Sequence, residues 1–171
     1  MTTSDVAVRS RAATDIPGCV DALRLVHEVD RYPTRWPPDP SAWLTPKAMQ
    51  QAWVAVEGER IVGHVAVTVV AEPTEIVSRA LAGSSRREVR SISRLFVAPA
   101  GRGRGVAGRL LDVATASARN DDADCVLDVV ADGLAAIALY ERRGWRRVGS
   151  GPAHWVNAAG EHPLVHYYVG P

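Results

Sequence analysis

Residues 97–111 read VAPAGRGRGVAGRLL, from Val97 through Gly101-Arg102-Gly103-Arg104-Gly105 to Leu111. An apolar run precedes this stretch. From Gly103 onward, Val106, Leu110, Leu111, Val113 and Ala114 fall largely on one helical face. A turn rich in glycine and arginine therefore feeds a helix, whose start carries unpaired N–H groups and the positive end of its dipole. Such a turn suits an anion, and two phosphate patterns overlap in it. From Gly103 the residues spell G-x-G-x-x-G, as in dinucleotide loops; from Arg102 they spell R-x-x-G-x-A, which suits a coenzyme A pyrophosphate.

Working outward, Glu88–Val97 reads as the strand that delivers the chain to this turn, and the helix beyond it runs to about Arg119. Asp124–Val130 is an apolar, β-branched strand, and Leu134–Arg143 has helical spacing that Gly144 stops. Trp145–Gly149 and Leu164–Val169 are two further strand-like runs. On the other side, Ala52–Glu57 and Arg60–Val70 flank Gly58-Glu59 as an antiparallel hairpin. Asp5–Ser10 alternates like a half-buried strand, and Thr14-Asp15-Ile16-Pro17 supplies capping residues and a first-turn proline for a helix to about Val29. Residues 31–46, RYPTRWPPDPSAWLTP, predict an irregular, aromatic-lined loop leading into a short helix. Residues 71–87 lose the apolar pattern and gather Pro73, Gly83, Ser84 and Ser85, which predicts a flexible connection. This order predicts an α/β fold: a mixed, mostly antiparallel central sheet flanked by helices on both faces, with the anion loop at the end of a central strand.

At 171 residues, 47% apolar and 23% charged, the chain has the size and composition of one globular domain. Its 20 basic and 19 acidic residues leave a net charge of +1, so no bulk field draws it to nucleic acid or an anionic membrane. Arginines nevertheless cluster at 86–90, 102–109 and 142–147, which favours a local anionic ligand over a polyanionic partner. Cys19 and Cys125 form no metal-type spacing, and no metal is expected. The sequence shows no apolar signal core at its start and no membrane-length apolar run, so a reduced, cytoplasmic setting is the expectation.

The dinucleotide reading asks for a βαβ unit and an acidic residue about twenty positions on, where Asp128 stands. Against it, the loop begins past mid-chain, follows an antiparallel hairpin, leaves too little chain for a full dinucleotide domain, and gives Arg102 no role. A NAD-binding oxidoreductase is thus the remote alternative.

The segments SRLFVAPAGRGRGVAGRLLD and AAIALYERRGWRRVG together resemble the GNAT superfamily of acyl-CoA-dependent N-acyltransferases. The first is similar to that family's strand, pyrophosphate loop and helix; the second is similar to its helix bearing L-Y-x-x-x-G-[FW]. The resemblance implies a single N-acetyltransferase domain over 1–171, with acceptor-side elements at about 14–50 and an acyl-CoA-binding core at about 88–149. It implies transfer of an acetyl group from acetyl-CoA, the co-substrate, to a primary amine by direct attack in a ternary complex.

By the same resemblance, the backbone amides of Arg102, Gly103, Arg104, Gly105, Val106 and Ala107 wrap the pyrophosphate. Main-chain groups of Leu95, Phe96 and Val97 pair with the pantetheine arm, and the Val97 N–H receives the developing oxyanion. Tyr140, in the L-Y motif, is the implied general acid. The base is open. Ser91 stands where many relatives carry glutamate and would act through a water; Glu88 would need a bulge to reach the site; His154 is the other candidate, histidine being the residue type suited to proton transfer near neutrality. Gly133 replaces a frequent asparagine and removes one polar contact to the coenzyme. Tyr32, Trp36 and Trp43 either line an acceptor pocket, with Asp39 or Glu28 attracting a cation, or belong to the core. The acceptor is a small-molecule or peptide amine. Losing the glutamate also keeps a non-catalytic acyl-CoA sensor in play. Relatives of this size often form dimers, so a homodimer is the assembly to look for.

Overall fold

The computed structural model describes residues 5–171. Seven strands, β1 (Val6–Ser10), β2 (Met49–Glu57), β3 (Arg60–Val69), β4 (Glu88–Val97), β5 (Ala123–Val130), β6 (Arg146–Pro152) and β7 (Leu164–Val169), form a mixed sheet in the order β1-β2-β3-β4-β5-β7-β6. Five helices accompany them: α1 (Ile16–Asp30), α2 (Pro40–Leu44), α3 (Glu75–Ala80), α4 (Val106–Asn120) and α5 (Leu134–Arg142). The chain divides into two compact units, Met1–Thr68 with Ile92–Ala114, and Val69–Ser91 with Thr115–Pro171.

In the first unit, β1 pairs antiparallel with β2 from Val6↔Glu57 to Ser10↔Trp53. The β2–β3 hairpin closes at Glu57↔Arg60, with Gly58 at φ 60° in its two-residue turn. Helix α1 buries Cys19, Ala22, Leu23 and Val26, the i, i+3, i+4, i+7 stripe that an amphipathic helix presents to a core. Leu44, Val54, Ile61, Phe96 and Ala98 complete that cluster. Asp15 does not cap α1 with its side chain. Its carboxylate instead accepts from Arg9 Nη1 at 2.7 Å and from the Ala12 N–H at 2.7 Å.

In the second unit, β4 pairs parallel with β5 from Glu88↔Ala123 to Ser91↔Val126. Strand β7 lies antiparallel to both β5 and β6. The flexible connection expected over 71–87 is corrected: α3 forms within it. Thr74 Oγ1 caps this helix by accepting from the Val77 N–H at 3.4 Å, and Val77 enters a core with Val126 and Val169. Six residues are too few to show a helical period, so the sequence pattern hides this helix. Its docking depends on Gly149, where an added Cβ would lie 2.6 Å from Ile76 Cγ2.

Candidate active site

Between β4 and α4 the chain makes a short 3-10 turn, Pro99–Gly101, and then the Arg102–Gly105 loop, which passes into the first turn of α4. Gly103 and Gly105 sit at φ 73° and 69°, with no atom near the place of a Cβ. Side chains rarely tolerate this left-handed backbone, which turns successive amides toward one concavity. Buried Val106, Leu110, Leu111 and Ala114 anchor the helix that starts there. Arg102 Nε donates to the Val97 carbonyl at 3.1 Å, while its Nη atoms pair with Asp30. Arg104 donates from Nη1 to Glu57 at 2.6 Å and from Nη2 to the Ala100 carbonyl at 2.8 Å. Both arginine charges are thus matched by carboxylates and brace the loop, leaving main-chain N–H groups as the element suited to an anion. The open glycines and the helix start fit a pyrophosphate.

Leu95 and Val97 are half-buried, and the Phe96 side chain is in the core, stacked on His64 with ring centres 5.3 Å apart. Tyr32, Trp36 and Trp43 are partly buried and packed against the first unit's core. Tyr32 meets Trp43 edge-on at 6.0 Å and Phe96 at 6.4 Å; Trp36 lies 5.3 Å from His27 and carries the Arg24 guanidinium over its face. Asp39 is committed to capping α2, its Oδ1 accepting from the Ala42 N–H at 2.9 Å. Glu28 is exposed on α1.

In the second unit, Tyr140 lies on α5 and is 8% exposed, its ring 6.2 Å from Trp145 and 6.1 Å from Tyr168. Gly144, at φ 79°, ends the helix, and the Trp145 N–H returns to the Tyr140 carbonyl at 3.1 Å. Glu88 is exposed and ion-paired with buried Arg90; Ser91 is half-buried at the end of the parallel register. His154 is exposed in the bend after β6.

A further carboxylate stands out in this unit. Asp128, on β5 opposite Tyr167, is open to solvent yet crowded enough by protein that desolvation raises its pKa, with His154 opposing the shift. Asp128 also raises the Tyr167 pKa, second to burial of that phenol. The sequence reading assigned Asp128 only a dinucleotide role. The available signal was one acid inside the otherwise apolar run Cys125-Val126-Leu127-Asp128-Val129-Val130.

Among the described residues, no group of three His, Cys, Asp or Glu side chains is placed to hold a metal, and no helix is long and apolar enough to cross a membrane. No curated protein sequence matches the chain. Solved structures share its fold. Arabidopsis thaliana NAA60 in complex with acetyl-CoA is 21% identical at a TM-score of 0.76, covering 96% of this chain and 97% of that one. The ribosomal-protein-S18-alanine N-acetyltransferase from Escherichia coli is 16% identical at 0.70, covering 98% and 94%. Arabidopsis thaliana Naa50 in complex with the bisubstrate analogue CoA-Ac-MVNAL is 16% identical at 0.65, covering 95% and 97%. Residues 20–145 match the Acetyltransferase (GNAT) family, a span holding the whole β4–loop–α4 unit and Tyr140. The match covers most of the chain and includes the glycine-opened loop at the end of β4, and the chain belongs to the GNAT acetyltransferase family, whose co-substrate is acetyl-CoA.

Proposed function

We propose that this acetyltransferase moves the acetyl group of acetyl-CoA onto the amine of a peptide by direct attack in a ternary complex. The carrying observation is the Arg102–Gly105 loop, where two left-handed glycines, open at the place of a Cβ, lead into the start of α4. When bound, acetyl-CoA supplies an activated thioester. Backbone amides of the loop hold its pyrophosphate, and main-chain groups of Leu95–Val97 align the pantetheine arm. The Val97 N–H faces the oxygen on which negative charge develops, a donor fixed before the charge forms.

Three proton movements follow: the base takes one proton from the ammonium and passes it to solvent, the same base then takes a second from the nitrogen of the tetrahedral adduct, and the acid protonates the departing thiolate. Tyr140 is assigned the last, since a phenol with a reference pKa of about 10 donates readily to a thiolate. For the base, Asp128 is preferred to Glu88 and Ser91. Its carboxylate is accessible and its pKa is moved upward by desolvation, toward the pH at which a base works well. The Glu88 carboxylate is already held by Arg90, and a Ser91 hydroxyl needs a water to act. The peptide as acceptor is supported by neighbours of the same fold, one crystallised with a CoA-peptide bisubstrate and one named for a ribosomal-protein alanine.

Calorimetric titration with acetyl-CoA, with NADH as control, tests the loop; thiol release with peptides and with small amines tests the transfer. Saturable acetyl-CoA binding, no NADH binding and turnover favouring peptides are expected. NADH binding alone would overturn the loop assignment, and turnover restricted to small amines would overturn the acceptor class.

A further inference from the structure

One residue in the middle of β4 departs from the strand. Arg94 has φ 52°, a left-handed conformation that an arginine adopts only when its surroundings hold it there. It immediately precedes Leu95, Phe96 and Val97. A single left-handed residue interrupts the two-residue alternation of a strand, so it decides which way the following peptide groups face.

We infer that His64 is a positioning residue, which through its Nδ1–H holds the Arg94 carbonyl and thereby fixes the direction of the main-chain groups of Leu95–Val97. This inference rests on the role proposed above for those groups. His64 is fully buried on β3, and its Nδ1 lies 2.9 Å from the Arg94 carbonyl oxygen. Its Nε2 lies 2.9 Å from Arg11 Nη1. A guanidinium only donates and a carbonyl only accepts, so one tautomer satisfies both contacts: Nδ1 protonated, Nε2 bare. The imidazole therefore has both nitrogens committed, and its face is stacked on Phe96 at an interplanar angle of 17°.

Arg11 is itself anchored, donating to the Leu44 carbonyl at 2.7 Å and to Thr45 Oγ1 at 3.1 Å, with its own N–H bonded to the Ala52 carbonyl at 2.9 Å. The Arg94 side chain is tied on its other side, where Nε donates to the Trp43 carbonyl and the guanidinium lies 4.7 Å from the Trp43 ring centre. Backbone and side chain of Arg94 are thus gripped by different elements, β3 and α2, and the His64 contact acts on its carbonyl directly. The second tryptophan of the proline-rich loop acquires a use here that its aromatic character alone does not suggest.

The test uses wild-type protein, His64→Leu and His64→Asn; asparagine keeps an N–H donor near the Nδ1 position, and leucine does not. Amide hydrogen exchange over residues 94–97 is expected to accelerate about tenfold or more in His64→Leu and to return toward wild type in His64→Asn. In the transfer assay, His64→Leu should lose about 10-fold to 100-fold in kcat while its KM for acetyl-CoA moves little, and His64→Asn should recover most of the loss. Unchanged exchange in His64→Leu would overturn the inference whether or not the protein turns over. Equal impairment of the two variants would overturn it too, because it would mark loss of the ring rather than of the donor. Failure of wild-type protein to bind acetyl-CoA would sink the functional reading and leave the exchange result to decide the structural one. Nitrogen NMR of wild-type His64 needs no variant: a protonated Nδ1 and bare Nε2 are expected, and the opposite tautomer would refute the proposal.

Discussion

At the scale of single residues, Asp128 and Tyr140 carry opposite proton tasks, and each gives a separable prediction. Tyr140→Phe keeps the ring among Trp145 and Tyr168 but removes the donor, so kcat should fall about 10²-fold to 10⁴-fold with acetyl-CoA affinity nearly unchanged by calorimetry. Undiminished turnover would remove Tyr140 from the acid role. For Asp128, desolvation raises the folded-state pKa above the unfolded one, so folding favours the protonated acid. The associated stability is present below the unfolded pKa of about 4 and is lost as pH rises through the folded pKa. At neutral pH the ionised carboxylate therefore costs stability, while as a base it works only when ionised. Asp128→Asn should raise Tm at neutral pH, gain nothing near pH 3, and abolish the acidic limb of kcat/KM along with most activity. A lower Tm with full activity would show that Asp128 is a structural acid instead.

At the scale of elements, the anion loop was legible because glycine, arginine and helical spacing occur together in 15 contiguous residues, Val97–Leu111. Its chemistry was only half legible. Arg102 and Arg104 belong to an arginine cluster that favoured a local anionic ligand, but their side chains pair with Asp30 and Glu57, which lie 72 and 47 positions away and cannot be matched to them by pattern. Likewise, Arg86 meets Asp122 and Asp124 with β4 and α4 lying between them in the chain, so two of the arginine clusters that suggested anionic ligands are braced by internal carboxylates. The glycines should then matter more than the charges. Gly105→Val is expected to weaken acetyl-CoA binding on the order of tenfold or more, because valine resists φ near 70°, while Arg104→Ala weakens it less; the reverse order would make side-chain charge the binding element. Helix α3 was not legible because its anchor is a glycine on another strand. Gly149→Val drives side-chain atoms into Ile76 and should destabilise by about 1–3 kcal/mol, with faster exchange concentrated in Glu75–Ala80; protection that stays intact there would show that α3 docks without Gly149.

At the scale of the whole molecule, His64 and Asp15 each withdraw stability as pH falls, in different pH windows and against the opposite contribution of Asp128. Burial, outweighing the bond to the Arg94 carbonyl, lowers the His64 pKa from about 6.5 to about 4, so the folded protein holds the imidazole neutral. Its contribution is complete above the unfolded pKa and is lost as pH falls from about 6.5 through about 4, in total up to about 3 kcal/mol. Asp15 is held down to about 2, chiefly by its hydrogen bonds from Arg9, so its contribution persists to about 3.8 and is lost below that. Thermal unfolding should accordingly show Tm declining in two stages on acidification. His64→Asn should flatten the upper stage and leave the lower one, whereas Asp15→Asn should do the reverse. If His64→Asn retained the wild-type slope between about pH 6.5 and 4, the imidazole would have to be accepting a proton in the folded state. That proton would occupy Nε2 and oppose the Arg11 guanidinium, so the same measurement also reports whether the Arg11–His64–Arg94 chain carries its hydrogen bonds in the direction the geometry assigns.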